Sequence, residues 1–87
     1  MDSYSIEWKS SAAGELKKLD KAVFHRVLES VKSLSANPRP MGVRKLTGAE
    51  NAYRIRCGNY RIVYTIQDRK LMVEIIRIGH RSNIYKI

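Results

Sequence analysis

From Tyr53 to Ile66 the chain alternates between two kinds of side chain, and this run constrains the fold more than any other feature. Tyr53, Ile55 and Cys57 are separated by Arg54 and Arg56; Tyr60, Ile62, Tyr64 and Ile66 are separated by Arg61, Val63 and Thr65. A period of two belongs to β-strands with one face on a core. Gly58-Asn59, between the two halves, is a two-residue hairpin signal because both residues tolerate positive φ. With the turn there, Cys57 pairs with Tyr60, Arg56 with Arg61 and Ile55 with Ile62. Arg54, Arg56 and Arg61 then share the face turned away from the apolar side chains, and Arg56 lies directly across from Arg61. Like charges so placed destabilise a sheet by about as much as favourable pairs stabilise it, roughly 0.2–1 kcal/mol. Folding gains nothing from this arrangement, whereas a phosphate between the two guanidiniums turns repulsion into a charge-assisted clamp. A one-residue slip of the turn would send Arg61 to the opposite face.

The flanking segments complete an α+β pattern. Tyr4, Ile6 and Trp8 alternate with Ser5 and Glu7, which predicts a short N-terminal strand. Ser10 or Ser11 is placed to cap a helix reaching Leu19, with Ala12, Leu16 and Leu19 on one face. Asp20 is placed to cap a second helix, whose stripe is Val23, Val27, Leu28, Val31 and Leu34; Asn37-Pro38 ends it. The short break between them makes a two-helix hairpin. A loop containing Pro38, Pro40, Gly42 and Gly48 follows. After the alternating run, a turn at Asp68-Arg69 leads to a third strand, with Leu71, Val73 and Ile75 alternating with Met72, Glu74 and Ile76. The order predicts one domain over 1–87: an N-terminal strand, a two-helix hairpin and a three-stranded antiparallel meander, with the helices on one face of the sheet. Val63, Met72, Ile76 and Ile78 are expected on the arginine side, as an apolar surface that needs covering.

Charge narrows the functional classes. The chain carries a net charge of +9. Residues 1–38 hold six basic and five acidic side chains, and residues 39–87 hold eleven and three. A polyanionic partner suits the second half, because each phosphate neutralised by Lys or Arg releases condensed counterions. Cys57 is the sole cysteine, so no internal disulfide forms, and its place on the apolar face makes it a core thiol. The sequence shows neither a run long enough to span a membrane nor a secretory leader, and elimination leaves the cytoplasm. It shows no paired carboxylates, no glycine-rich phosphate loop and no His/Cys cluster with metal spacing, so neither metal nor cofactor is expected. After the last strand, His80, Arg81 and Tyr85 come close to one end of the sheet. His80 titrates near neutrality when unperturbed and can exchange a proton; Tyr85 can stack on a base or bond a phosphate. Metal-free RNA cleavage suits such a set, since the substrate's 2′-hydroxyl is the nucleophile and the protein need only position groups and neutralise charge.

Arg44-Lys45-Leu46-Thr47-Gly48, Tyr53-Arg54-Ile55-Arg56, the run Gly58 to Tyr64, and Ile78-Gly79-His80-Arg81 through Tyr85 together resemble the RelE family of toxins, within the RelE/ParE superfamily. The resemblance covers nearly the whole chain. It implies a type II toxin that cuts messenger RNA in the ribosomal A site and is inhibited by a cognate, RelB-like antitoxin, acidic where it meets the basic face. Carried over by position, it makes Arg54, Arg56, Arg61, Arg81 and Tyr85 the catalytic set and Arg44 and Lys45 RNA-binding. Arg61 and Arg81 would hold the scissile phosphate, and Tyr85 would orient the reacting nucleotide. Relatives can carry lysine at the positions of Arg54 and Arg56; arginine cannot serve as a base, so His80 is the candidate for general acid or base. Two other functions fit a basic domain of this kind: a ParE-like poison of DNA gyrase, and a nucleic-acid-binding module without activity.

Overall fold

The computed structural model describes residues 3–84. The chain runs β1 (Ser5–Trp8), α1 (Ser10–Lys17), α2 (Lys21–Ser33), β2 (Arg44–Lys45), β3 (Ala52–Cys57), β4 (Tyr60–Gln67), β5 (Met72–His80) and α3 (Arg81–Ile84). The five strands form one sheet in the order β1-β5-β4-β3-β2. The expected meander is β3-β4-β5, antiparallel throughout. Two strands enlarge it. β1 lies parallel to β5, with Ser5 beside Met72 and Trp8 beside Ile75. The two-residue β2, inside what the sequence showed only as a loop, lies antiparallel to β3. The sheet is therefore mixed rather than a plain meander.

The two helices cover the face that carries Ile55, Ile62, Tyr64, Ile66, Val73 and Ile75. Ala12 and Leu16 from α1, and Val27, Val31 and Leu34 from and just after α2, are buried against it. These residues recur at helical spacing on one side and at strand spacing on the other, so one core joins both layers. The helix starts differ from expectation. Lys9 occupies the N-cap of α1, and Ser10 is its first helical residue. Asp20 does precede α2, but its carboxylate makes no capping bond. Burial of the apolar stripes, rather than capping, holds these helices.

One irregularity changes which residues face where. Val63 pairs with Arg77 and Tyr64 with Ile75, leaving Ile76 as a β-bulge. The extra residue reverses the alternation along β5. Ile78 therefore pairs with Ile62 inside the core, at 2% exposure, and not on the arginine side as the alternation predicts. The backbone N–H of Ile78 donates to Glu15 Oε1 of α1 at 2.8 Å, and Arg77 Nε lies 3.4 Å from Glu15 Oε2. One carboxylate thus satisfies both the strand edge and the cation that the bulge creates.

Candidate active site

The hairpin has the expected register, with Cys57 opposite Tyr60, Arg56 opposite Arg61 and Ile55 opposite Ile62. Gly58 has φ +60, a backbone conformation that favours glycine, and its open side lies against the guanidinium of Arg26. On the other side of β4, Arg61 lies beside Gly79 of β5. Arg61 is thus flanked by a like charge on one strand and by no side chain on the other.

Arg61 is 5% exposed. Among the described residues it makes one hydrogen bond, donated from a terminal guanidinium nitrogen to the carbonyl of Tyr60 at 3.3 Å, and no ion pair. A buried charge with no counterion costs several kcal/mol, on the order of what a well-packed core residue contributes. The neighbouring row continues the pattern: Arg44 of β2 pairs with Arg54 of β3, and Arg54 with Val63. Arg44, Arg54, Arg56 and Arg61 line a cavity of ≈ 570 Å³ together with Ser30 and Ser33 of α2 and residues 40–43. Arg81, at the start of α3, is exposed, and its backbone N–H donates to Asn59 O of the hairpin turn at 2.8 Å. The fold thus brings Arg56, Arg61 and the start of the Arg81 segment to one end of the sheet.

Two candidates are placed elsewhere. His80 pairs with Tyr60, whose ring it meets edge-on at 5.5 Å, so it lies on the face opposite Arg56 and Arg61. Its Nδ1 accepts the Ser82 N–H at 3.2 Å and lies 2.9 Å from Ser82 Oγ. Nδ1 is therefore an acceptor, and a neutral His80 carries its proton on Nε2. Register thus places His80, the expected general acid or base, on the other face of the sheet from Arg56 and Arg61. Lys45 pairs with Tyr53 and so alternates away from Arg44. Tyr85 lies outside the described residues. Among the described residues, no three His, Cys, Asp or Glu side chains come together as metal ligands.

The opposite end of the sheet holds a different kind of cluster. Arg39 makes a two-pronged contact with Asp68, at 3.1 Å to Oδ1 and 2.9 Å to Oδ2, and Tyr4 OH donates to the same Oδ1 at 2.7 Å. The Arg39 and Tyr4 bonds hold the Asp68 carboxyl down at about 2, and the bond to Asp68 raises the Tyr4 phenol. Arg39 also lies over the Tyr53 ring, 5.3 Å from its centroid. Tyr64 OH donates to Pro38 O at 2.8 Å, and burial pushes that phenol up to about 12, so it remains a donor. The sequence shows Asp68 as an isolated acid, since its partner Arg39 is distant in the chain and only the fold brings them together.

Comparison with known proteins decides the family. The family model described as "ParE toxin of type II toxin-antitoxin system, parDE" matches residues 6–85. Toxin RelG of Mycobacterium tuberculosis is 33% identical, over 95% of this chain and 97% of its own. The chain belongs to the RelE family of toxins. The mRNA interferase toxin RelE of Escherichia coli is 30% identical, over 95% of this chain and 90% of its own. In three dimensions the RelE fold of the Pyrococcus horikoshii RelE–RelB complex superposes with a TM-score of 0.81 at 28% identity, covering 92% of this chain and 97% of that one. The α+β arrangement of this chain is therefore that of RelE.

Proposed function

We propose that this RelE-family toxin is a messenger-RNA endoribonuclease acting in the ribosomal A site, without a metal ion. The observation that carries the reading is Arg61: buried at 5% exposure, opposed by Arg56, and with no carboxylate partner among the described residues. A scissile phosphate completes that site. The substrate's 2′-oxygen attacks phosphorus and the bond to the 5′-oxygen breaks, leaving a 2′,3′-cyclic phosphate and a 5′-hydroxyl. Charge grows on the phosphoryl oxygens as this happens, and guanidiniums fixed around the cavity stabilise it more than they stabilise the ground state. Arg61 and Arg81 hold that phosphate, Arg54 and Arg56 add positive field, Arg44 tracks the neighbouring backbone, and Tyr85 orients the reacting nucleotide. None of the arginines can accept the proton of the 2′-hydroxyl, and His80 faces away, so that proton leaves to a ribosomal, substrate or water oxygen, and the leaving 5′-oxygen takes up a proton from solvent or a ribosomal group.

The name "mRNA interferase" of the Escherichia coli relative supports the substrate, and the solved RelE–RelB complexes support a RelB-like antitoxin as partner. A cytoplasmic setting belongs to this reading, because its substrate is messenger RNA on the ribosome; no helix among the described residues is long and apolar enough to cross a membrane. The gyrase reading draws on the family description alone; the RelE and RelG relatives and the arginine cluster favour RNA. The test is to add the protein to translating ribosomes and map new 5′ ends. Cuts within A-site codons are expected, reduced about 10²–10³-fold by Arg61→Ala or Arg81→Ala. Growth arrest with intact messages and DNA damage would replace this reading with the gyrase one.

A further inference from the structure

Met41 is fully exposed, the one large apolar side chain so placed among the described residues. A single exposed methionine is ordinary; the way this one is mounted is not. Val43 N–H donates to Pro40 O at 3.1 Å and Gly42 has φ +88, so Met41 is the second residue of a tight turn whose third residue requires glycine. The arm leading into the turn is fixed by Tyr64 OH on Pro38 O and by the Arg39–Asp68 pair, and the arm leaving it by Val43 packed against the core. The fold thus fixes the backbone that presents an apolar, polarisable side chain at the rim of the cavity that Arg44, Arg54, Arg56 and Arg61 line. Ser30 and Ser33 of α2 also line it, with the Ser33 hydroxyl donating to Ser30 O at 2.7 Å. Cationic side chains, the Ser30 hydroxyl and one thioether at the rim match the three parts of a nucleotide: phosphate, sugar and base. The volume of ≈ 570 Å³ is in the range of small-ligand sites.

We propose that this cavity is a nucleotide subsite in which Met41 packs on the base of a nucleotide adjoining the scissile phosphate, with Arg44 on its phosphate and Ser30 within reach of its ribose. The inference rests on the RNA-cleaving reading and adds a positioning residue to it. An acidic protein segment with one apolar anchor is the competing occupant. The Ser30 hydroxyl and the nucleotide-sized volume favour RNA.

Two measurements test it. The chain has three methionines, so methyl-labelled protein gives few, assignable signals. An uncleavable 2′-deoxy trinucleotide is expected to move the Met41 methyl resonance through the ring current of its base, while an abasic version carrying the same phosphates leaves it in place. Equal movement with both, or none with either, overturns the subsite. On ribosomes, Met41→Ser is expected to raise KM about fivefold at unchanged kcat, the size of effect lost when one base contact is removed, with Met41→Leu close to wild type. Wild-type cleavage with an unaltered Met41→Ser variant sinks this inference alone. Failure of the wild type to cut at all sinks the RNA-cleaving reading with it. Antitoxin binding weakened by Met41→Ser while cleavage is unaffected would assign the rim to the protein partner instead.

Discussion

The two ends of this sheet handle positive charge in opposite ways. Beyond the start of β3 and the end of β4, Arg39 is matched to Asp68, Tyr4 adds a hydrogen bond to the same carboxylate, and the Tyr53 ring lies under the guanidinium. At the hairpin end, Arg61 is more deeply buried than Arg39, yet it meets Arg56 across the strand and no acid among the described residues. The same side chain therefore serves two purposes. Arg39 is a fastener for the loop after α2, complete within the fold. Arg61 is held without a counter-ion among the described residues, a cost to stability that is maintained where binding or catalysis recovers it.

Substitutions that treat the two ends alike would break this contrast. The largest effect is expected from Arg61→Met, which keeps length and removes charge. Ribosomal cleavage should fall about 10²–10³-fold, while urea unfolding shows stability unchanged or raised by about 1–2 kcal/mol. A clear loss of stability would make Arg61 structural and the contrast false. At the other end Tyr64→Phe should do the reverse, costing about 1–2 kcal/mol because Pro38 O loses its buried donor. Cleavage well below the melting temperature should stay within about twofold of wild type, a small-effect margin on the scale where 1.36 kcal/mol is tenfold. Between the ends, Glu15→Ala strips the bulge of its acceptor and should cost about 1 kcal/mol, with Glu15→Gln recovering most of it through the Ile78 N–H bond.

The smallest effect is a pH dependence. Asp68 titrates at about 2 in the fold against an ordinary 3.8. Its folded value is depressed, so its contribution is complete above the ordinary value and is lost as pH falls through about 2. Thermal melts of wild type and Asp68→Asn should therefore differ slightly at pH 7 and converge in strong acid. A gap that persists unchanged to the lowest pH would mean that the Arg39 contact does not hold the loop.

Most of the fold was legible because its central strands alternate cleanly and Gly58-Asn59 admits one economical turn. The Arg56–Arg61 pairing follows from that turn by counting. What stayed hidden has a common cause: long-range pairing leaves no local mark. The bulge at Ile76 directly follows another isoleucine, Ile75, so alternation does not show which of the two faces the core, and Ile78 is read on the wrong side. Because Tyr60 pairs with His80, the histidine follows the tyrosine to the helix-covered face, although the chain brings it next to Arg81. β2 has only two residues and no room to show a period. The cavity's other wall, Ser30 and Ser33, belongs to a helix in which the sequence shows only its apolar stripe.

The strand order has one further consequence. β5 occupies the slot between β1 and β4, so the earliest strand of the chain finds its place only beside the latest. During translation the nascent polypeptide can form its helices and the β3–β4 hairpin, but Gly79 and Arg81 are not yet there to flank Arg61. Closure of distant segments is also the slow step in assembling such a topology. The arginine cluster is therefore complete only once β5 and the start of α3 have joined the sheet.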